Sequence, residues 1–527
     1  MINTQVLTEK AKELINCGNL NEAEKILLGL NDKYSIFELA RIRKIQGRSR
    51  DAEQLYLKSL SMKSEIKSHI ESDINIELGR IYAGFGNIEL AKERFEKGAD
   101  RICLEKNIYR ELGELYFFSR YYKEAEENFE KAMHLFPDDI KTNLDLAITY
   151  RMLEKDDLSK QILIKLLSNK QVKNSKFLYN KVLNEYEIAM RKEVLESKPR
   201  EIRNTITNKC NIGCRYCDIW KEGTWEQSEE RTKEIINLFP YLENMQWLGG
   251  ETFLYKGFEE ILEEGAKYDT LSQTILTNGL LLNERILEKI SKANISLLIA
   301  IDAGKKETYE YLRRGSSWEK LCANLELIKE INKKTNRKIY TTFNAVISKS
   351  NYKEMFEMVE MAHKYDFNKI RFMPILGSGE ENIFSNNDRQ AIEYIYSIFP
   401  FVEDRAKQYN IVLEQYIPTR KNNAYKDNNL NVVKSPKELS FYHLKNRKRM
   451  GCTVPWKMLV IDSKGPIRPC VNCNDWIGDS TKQSIDEFWN SIYMRIYRKQ
   501  FGNMYSCKGT YNIDLGPNDV AKVEMHY

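Results

Sequence analysis

The stretch Lys209 to Asp218, Lys-Cys-Asn-Ile-Gly-Cys-Arg-Tyr-Cys-Asp, sets Cys210, Cys214 and Cys217 at C-x3-C-x2-C. Thiolates spaced this closely hold iron–sulfur clusters or zinc, and the number of ligands separates the two. Three sulfurs cannot close a four-iron cluster, so one iron is left open to an outside ligand. The competing reading is a structural zinc knuckle short of its fourth ligand. No histidine is at hand to complete it, the five in the chain being His69, His134, His363, His443 and His526.

A second group, Cys452, Cys470, Cys473 and Cys507, runs C-x17-C-x2-C with the last cysteine further on. Four thiolates are enough to close a [4Fe–4S] cluster without help from a substrate, and a zinc ribbon competes on spacing alone. Clustered cysteines point to metal rather than disulfides in a cytosolic chain. Cys17, Cys103 and Cys322 stand alone and read as small buried hydrophobes.

Such loops need a scaffold that presents them at one place. From residue 200 onward, extended runs alternate with amphipathic Glu/Lys-rich segments, the pattern of parallel β/α architecture. Strands are predicted over 202–207, 244–248, 273–277, 295–301, 339–347 and 369–373, with helices such as 228–239 and 282–292 between them. In barrels of this kind the chemistry sits at the carboxyl ends of the strands, and the motifs fall there. The cysteine loop follows the first strand and Gly249-Gly250-Glu251-Thr252 the second. Thr277-Asn278-Gly279 ends the third and Ala300-Ile301-Asp302-Ala303 the fourth. Beyond the barrel, a helix over 387–408, a strand over 411–416, a mobile surface loop over 419–434, a turn at Gly465 and a helix over 484–500 are expected.

The cysteine spacing, with Tyr216 immediately before the third cysteine, and the Gly-Gly-Glu element about 30 residues on, resemble the radical S-adenosylmethionine (SAM) superfamily. The resemblance implies an α/β fold, a partial (β/α)6 TIM-type barrel. It also implies a [4Fe–4S] cluster on Cys210, Cys214 and Cys217 whose open iron chelates SAM, the source of a 5′-deoxyadenosyl radical. Gly249, Gly250 and Glu251 would then lie by the SAM amino group, the Arg313 guanidinium would pair its carboxylate by a bidentate fork, and Tyr216 and Asn344 would line the pocket, with Arg371 and Met373 further candidates. Ala300 departs from the Ser-x-Asp-Gly common in related enzymes and lacks its hydroxyl. Glu251, Asp302 and Tyr340 are candidate acids or donors, unranked. The cysteines beyond residue 447 resemble the twitch domain, the shortened form of SPASM, a small β-hairpin and helix. That likeness implies a second, auxiliary [4Fe–4S] cluster for electron transfer on Cys452, Cys470, Cys473 and Cys507. The usual C-x2-C close is reduced here to Cys507-Lys508-Gly509-Thr510.

Residues 1–195 read as helices throughout and repeat at a period of 34. Leu78-Gly79-x-x-Tyr82 recurs as Leu112-Gly113-x-x-Tyr116 and as Leu146-Ala147-x-x-Tyr150; Ala91 and Phe95 recur as Ala125 and Phe129, and Pro137 closes that unit. This is similar to the tetratricopeptide repeat (TPR). It predicts an all-α solenoid of four to five helical hairpins, with an insertion near 61–73, small residues where paired helices approach and aromatics filling the gaps between repeats. Three domains follow: 1–195 the solenoid, 200–446 the barrel, 447–527 the auxiliary cluster domain, with a charged linker over 187–200.

At 527 residues the chain exceeds a single core. Its 82 basic and 76 acidic residues nearly balance at +6, which argues for no nucleic acid. The longest apolar run, 295–301, falls far short of the roughly 20 residues a membrane helix needs, and the N-terminus carries no export signal, so a cytoplasmic protein is expected. Three functions compete. The favoured one is a radical enzyme modifying a ribosomally made peptide that the TPR-like domain docks, with an external electron donor such as flavodoxin or ferredoxin. The second is a radical dehydrogenase or related enzyme acting on a small molecule such as a sugar alcohol. The third, a TPR scaffold with a dead radical domain, is disfavoured by the intact set of cluster cysteines.

Overall fold

The computed structural model describes residues 2–17, 19–45, 49–62, 69–84, 87–99, 108–219, 223–335, 339–375, 379–409, 411–417, 453–462, 464–470 and 478–501. The chain divides into two compact units, Met1–Ile162 and Leu163–Tyr527.

The 34-residue period folds as helical hairpins. Paired helices run Ile2–Asn16 with Leu20–Leu28, Lys33–Ile45 with Ser49–Ser61, His69–Gly84 with Ile88–Ala99, Ile108–Phe118 with Tyr122–Leu135, and Ile140–Met152 with Asp156–Ser168, the last helix crossing the boundary between units. The Leu-Gly signature has a steric cause. A Cβ on Gly79 would stand 2.8 Å from the Phe95 ring, and one on Gly113 would stand 2.6 Å from the Phe129 ring. Each aromatic therefore fills the space left by a glycine of its own hairpin, not only the gap to the next repeat. Phe129 also packs in a cluster with Leu146 and Tyr150 of the following hairpin. Ion pairs link first helices of successive hairpins: Lys44 to Glu77, Arg80 to Glu111 at 2.6 Å and Lys141 to Glu114 at 2.6 Å. Of the expected insertion, 63–68 lie outside the described residues.

The second unit is built on one sheet. Its strands are β1 (Glu201–Thr207), β2 (Asn244–Gly249), β3 (Ser272–Thr277), β4 (Ile295–Ala300), β5 (Tyr340–Ile347), β6 (Lys369–Pro374), β7 (Val412–Gln415), β8 (Met458–Ile461), β9 (Pro466–Arg468) and β10 (Gly478–Asp479), in the spatial order 10-9-8-1-2-3-4-5-6-7. β1 to β7 are parallel neighbours, as the six β/α units require, and the sheet does not close: it is a partial barrel. Alternation sorts the two faces. Leu297, Ile299, Phe343, Phe372 and Ile370 are fully buried in the apolar core. The other row runs through Ala300, Asn344, Arg371 and Glu414, paired strand to strand.

The C-terminal hairpin continues the barrel sheet: β8 pairs parallel with the free edge of β1 (Arg203 opposite Val460), and β9 and β10 follow antiparallel. Two sequence expectations are corrected. The helix over 484–500 is two, Ile485–Trp489 and Ile492–Phe501. The break is at Asn490, whose amide accepts from Leu195 N (2.9 Å) and donates to Leu195 O (2.8 Å). The lone cysteines are not all buried: Cys17 is exposed, Cys322 is half-buried, and Cys103 lies outside the described residues.

The charged stretch 187–200 is fastened along its length. Trp456 Nε1 donates to Lys192 O at 2.8 Å, Trp489 Nε1 to Ser197 O at 2.7 Å, and Arg200 bridges Glu185 (2.5 Å) and Glu243 (2.7 Å). The loop expected over 419–434 lies outside the described residues.

Candidate active site

β1 delivers the chain to the cysteine loop at Thr207, and the loop is held by the ends of three other strands. From the β2 side, Gly250 N donates to Thr207 O at 2.9 Å and Glu251 N to Lys209 O at 2.7 Å. From β3, Asn278 Nδ2 donates to Asn211 Oδ1 at 2.8 Å. Beyond β4, where the helix Lys306–Leu312 ends, Gly213 N donates to Arg314 O and Arg215 N to Leu312 O, both at 2.9 Å. The Arg215 guanidinium lies 3.8 Å over the Tyr311 ring.

The two glycines serve this convergence. A Cβ on Gly249, whose φ is +146°, would overlap Thr207 O, and one on Gly250 would overlap the carbonyls of Asn208 and Lys209. What approaches them is the start of the cysteine loop itself. Glu251 is fully buried: Oε1 accepts from Thr277 Oγ1 at 2.7 Å and Oε2 from Asn278 N at 2.8 Å. Burial pushes its carboxyl up to about 7, against the pull of those bonds. It ties the Gly-Gly turn to the end of β3.

Asp302 is the second buried carboxylate, with a left-handed backbone at φ +64°. Oδ1 accepts from Val346 N at 2.7 Å, while Oδ2 takes the Tyr216 hydroxyl and Arg313 Nη2 in short contacts. Asn351 Nδ2 donates to the Asp302 carbonyl at 2.6 Å. Arg313 Nε donates to Ile301 O at 3.2 Å, and Nη1 stands 3.8 Å from Cys214 Sγ. In this structure Arg313 is thus the counter-ion of Asp302 and the cation beside a cysteine sulfur. Asn344 is half-buried opposite Ala300 on β5, while Tyr340 opens that strand and lies at its far end. Met373 and Arg371 are half-buried on β6. Sequence reasoning missed Asn351 and Arg215, which no spacing rule marks: each acts through a fold-dependent contact with a distant segment.

The cysteines of the loop are unbridged. Burial pushes the Cys214 thiol up to about 11 despite nearby Arg313, and raises Cys210 as well. Each feels the charge of Cys217. Metal binding would release these protons. Among the described residues, no three of His, Cys, Asp or Glu are grouped to hold a single ion, whereas a cubane cluster gives each thiolate its own iron. Three neighbouring cysteines without disulfides in a half-buried loop fit such a cluster. At the second group, Cys470 is buried against Val454, Met458 and Val460; Cys452, Cys473 and Cys507 lie outside the described residues.

Three family models match this sequence: the radical SAM superfamily over residues 204–362, an iron–sulfur cluster-binding SPASM domain over 452–509, and a tetratricopeptide repeat over 107–139. The chain therefore joins a radical SAM domain to an auxiliary iron–sulfur domain and a helical repeat. The cofactors that those two iron–sulfur matches imply are SAM, the [4Fe–4S] cluster that binds it and an auxiliary [4Fe–4S] cluster.

The GTP 3′,8-cyclase of Synechocystis sp. is 28% identical over 208 residues, 37% of this chain and 61% of that protein. The radical SAM cyclopropyl synthase TigE of Paramaledivibacter caminithermalis is 26% identical over 198 residues, 32% of this chain and 40% of that protein. Streptococcus suis SuiB bound to precursor peptide SuiA, a crystal structure, aligns with a TM-score of 0.45 and 17% identity, over 68% of this chain and 82% of that one. This chain spans about a third to three fifths of the length of the first curated relatives it matches. Among the described residues no helix is long and apolar enough to cross a membrane.

Proposed function

We propose that this protein cleaves SAM reductively and removes a hydrogen atom from a ribosomally made peptide in the cytoplasm, with electrons from a flavodoxin- or ferredoxin-like donor. The observation that carries the reading is the convergence of segments beyond β2, β3 and β4 on the three-cysteine loop that follows β1, in a chain that also carries a tetratricopeptide repeat. When bound, the cluster supplies the electron that splits the sulfonium and yields the hydrogen-abstracting radical.

The chain's own residues do the positioning. Cys210, Cys214 and Cys217 would hold the cluster, and the Gly249-Gly250 turn keeps the loop close against β2. Arg313 sets a positive charge beside Cys214, and Asp302 fixes both that guanidinium and Tyr216. Asn344 faces the lumen row beside Ala300, where no hydroxyl is offered. Cys452, Cys470, Cys473 and Cys507 would hold the auxiliary cluster, which has no open iron and so would pass electrons rather than bind substrate. Stacked TPR hairpins form extended concave surfaces suited to a polypeptide, and that unit would dock the peptide.

The test is anaerobic reconstitution with iron and sulfide, then reduction with SAM and candidate peptides encoded beside this gene, one of them deuterated. Deuterium in 5′-deoxyadenosine together with a mass change in the peptide supports the reading. Deoxyadenosine without any peptide change speaks against a peptide substrate. A small-molecule substrate is the second reading, favoured by the GTP 3′,8-cyclases among the sequence relatives; it predicts deuterium transfer from a small molecule instead.

A further inference from the structure

The buried Arg313 guanidinium divides its edges between two neighbours. Nε donates to Ile301 O at 3.2 Å and Nη2 is gripped by Asp302 Oδ2, while Nη1 is turned to Cys214 Sγ at 3.8 Å. The basic residues within the cysteine stretch itself are engaged elsewhere. Lys209 Nζ pairs with Glu226 at 2.7 Å, and Arg215 Nε donates to Tyr311 O at 2.9 Å with its guanidinium over that ring.

Asp302 is held firmly enough to fix the arginine in place. Its Oδ1 accepts from Val346 N at 2.7 Å and its carbonyl from Asn351 Nδ2 at 2.6 Å. Oδ2 also takes the hydroxyl of Tyr216, the residue before Cys217. One carboxylate thus fixes the cation beside the second cysteine and the aromatic beside the third. The pair presents its positive member to the sulfur: Arg313 acts on Cys214 more strongly than Asp302 does.

Net charge, N–H donors at the ligand sulfurs and burial set the reduction potential of an iron–sulfur cluster. Reduction adds one negative charge, so a nearby cation stabilises the reduced form more than the oxidised one. The effect is strong where little water screens it. We propose that Arg313, positioned by Asp302, raises the midpoint potential of the cluster on Cys210, Cys214 and Cys217 and so eases its one-electron reduction. Asp302 is the opposing charge that limits the rise. The inference rests on the reading of those three cysteines as cluster ligands, and adds which side chains govern how readily the cluster takes its electron.

The experiment is an anaerobic redox titration with dithionite on the full chain loaded with iron and sulfide, without SAM or substrate. The reduced cluster is followed by electron paramagnetic resonance, and the loop cluster's share of the signal is the part absent from Cys214→Ala. Arg313→Gln should make that cluster about tenfold harder to reduce, a midpoint lower by about 59 mV for a one-electron couple. Arg313→Lys, which keeps the charge, should shift it less. Asp302→Asn removes the opposing charge while Arg313 stays tied to Ile301 O, and should raise the midpoint. Opposite signs are the discriminating result, since a general loosening of the loop would move both variants alike. Unchanged midpoints, or shifts of one sign for Arg313→Gln and Asp302→Asn, overturn the proposal. If Arg313→Gln does not take up iron, Asp302→Asn decides, and a midpoint that is not raised overturns it. Absence of any Cys214-dependent signal from the wild type would overturn the reading of the cysteines; a signal indifferent to these substitutions overturns this inference alone.

Discussion

Arg313 Nη1 stands 3.8 Å from Cys214 Sγ while Nη2 of the same guanidinium grips Asp302 Oδ2. One side chain therefore joins the cysteine loop to the carboxylate that closes β4. Asp302 is fully buried, and removal of its cation leaves a buried charge held only by hydrogen bonds from Tyr216 and Val346 N. Arg313→Gln should cost about 3–5 kcal/mol in urea unfolding of the full chain, and Arg313→Lys less. The Asp302→Asn/Arg313→Gln double variant should cost clearly less than the sum of the single changes. Strict additivity would show that the pair is not coupled.

The repeat makes a steric prediction. Gly113→Ala would push a methyl group to within 2.6 Å of the Phe129 ring, which should cost about 1–3 kcal/mol as overpacking. Adding Phe129→Leu should recover part of that loss even though the second change alone removes buried surface. Thermal melts of the helical signal check it. A melt unchanged by Gly113→Ala would mean that the hairpin has room to spare.

Local pattern explains why the cysteine loop, the Gly-Gly-Glu turn and β1 to β6 could be read from the sequence. Each is written in a run of a few residues, and the strand alternation and the 34-residue period repeat often enough to be seen. What could not be read depends on partners far apart in the chain. Asn490 ends a helix because Leu195, 295 residues away, offers both backbone groups. β8 finds the open edge of β1 across the whole barrel. Arg313 suggested itself as a carboxylate partner for a ligand, yet its strongest contact is with Asp302, a pairing set by how the β4 loop turns through a left-handed residue.

The pH profile of stability should carry the signature of Glu201. Burial raises its carboxyl to about 7 from an ordinary value of 4.5, so the folded state binds the proton more tightly than the unfolded chain does. Stability from this group is present below about pH 4.5 and is lost as pH rises toward 7. Glu201→Gln has no proton to lose, so its stability relative to the natural chain should rise across that window, by on the order of 2 kcal/mol, and then level off. Urea unfolding of both proteins at pH 5 and pH 8 decides it; parallel profiles would contradict it.

Anaerobic reduction in the presence of SAM is the most direct measurement of whether three neighbouring thiolates leave an iron open for a sulfonium. Wild-type protein and Cys214→Ala, both loaded with iron and sulfide and reduced side by side, would be compared for 5′-deoxyadenosine by chromatography. The predicted result is product from the wild type and only background from the variant. No product from the wild type, or equal product from both, would contradict it.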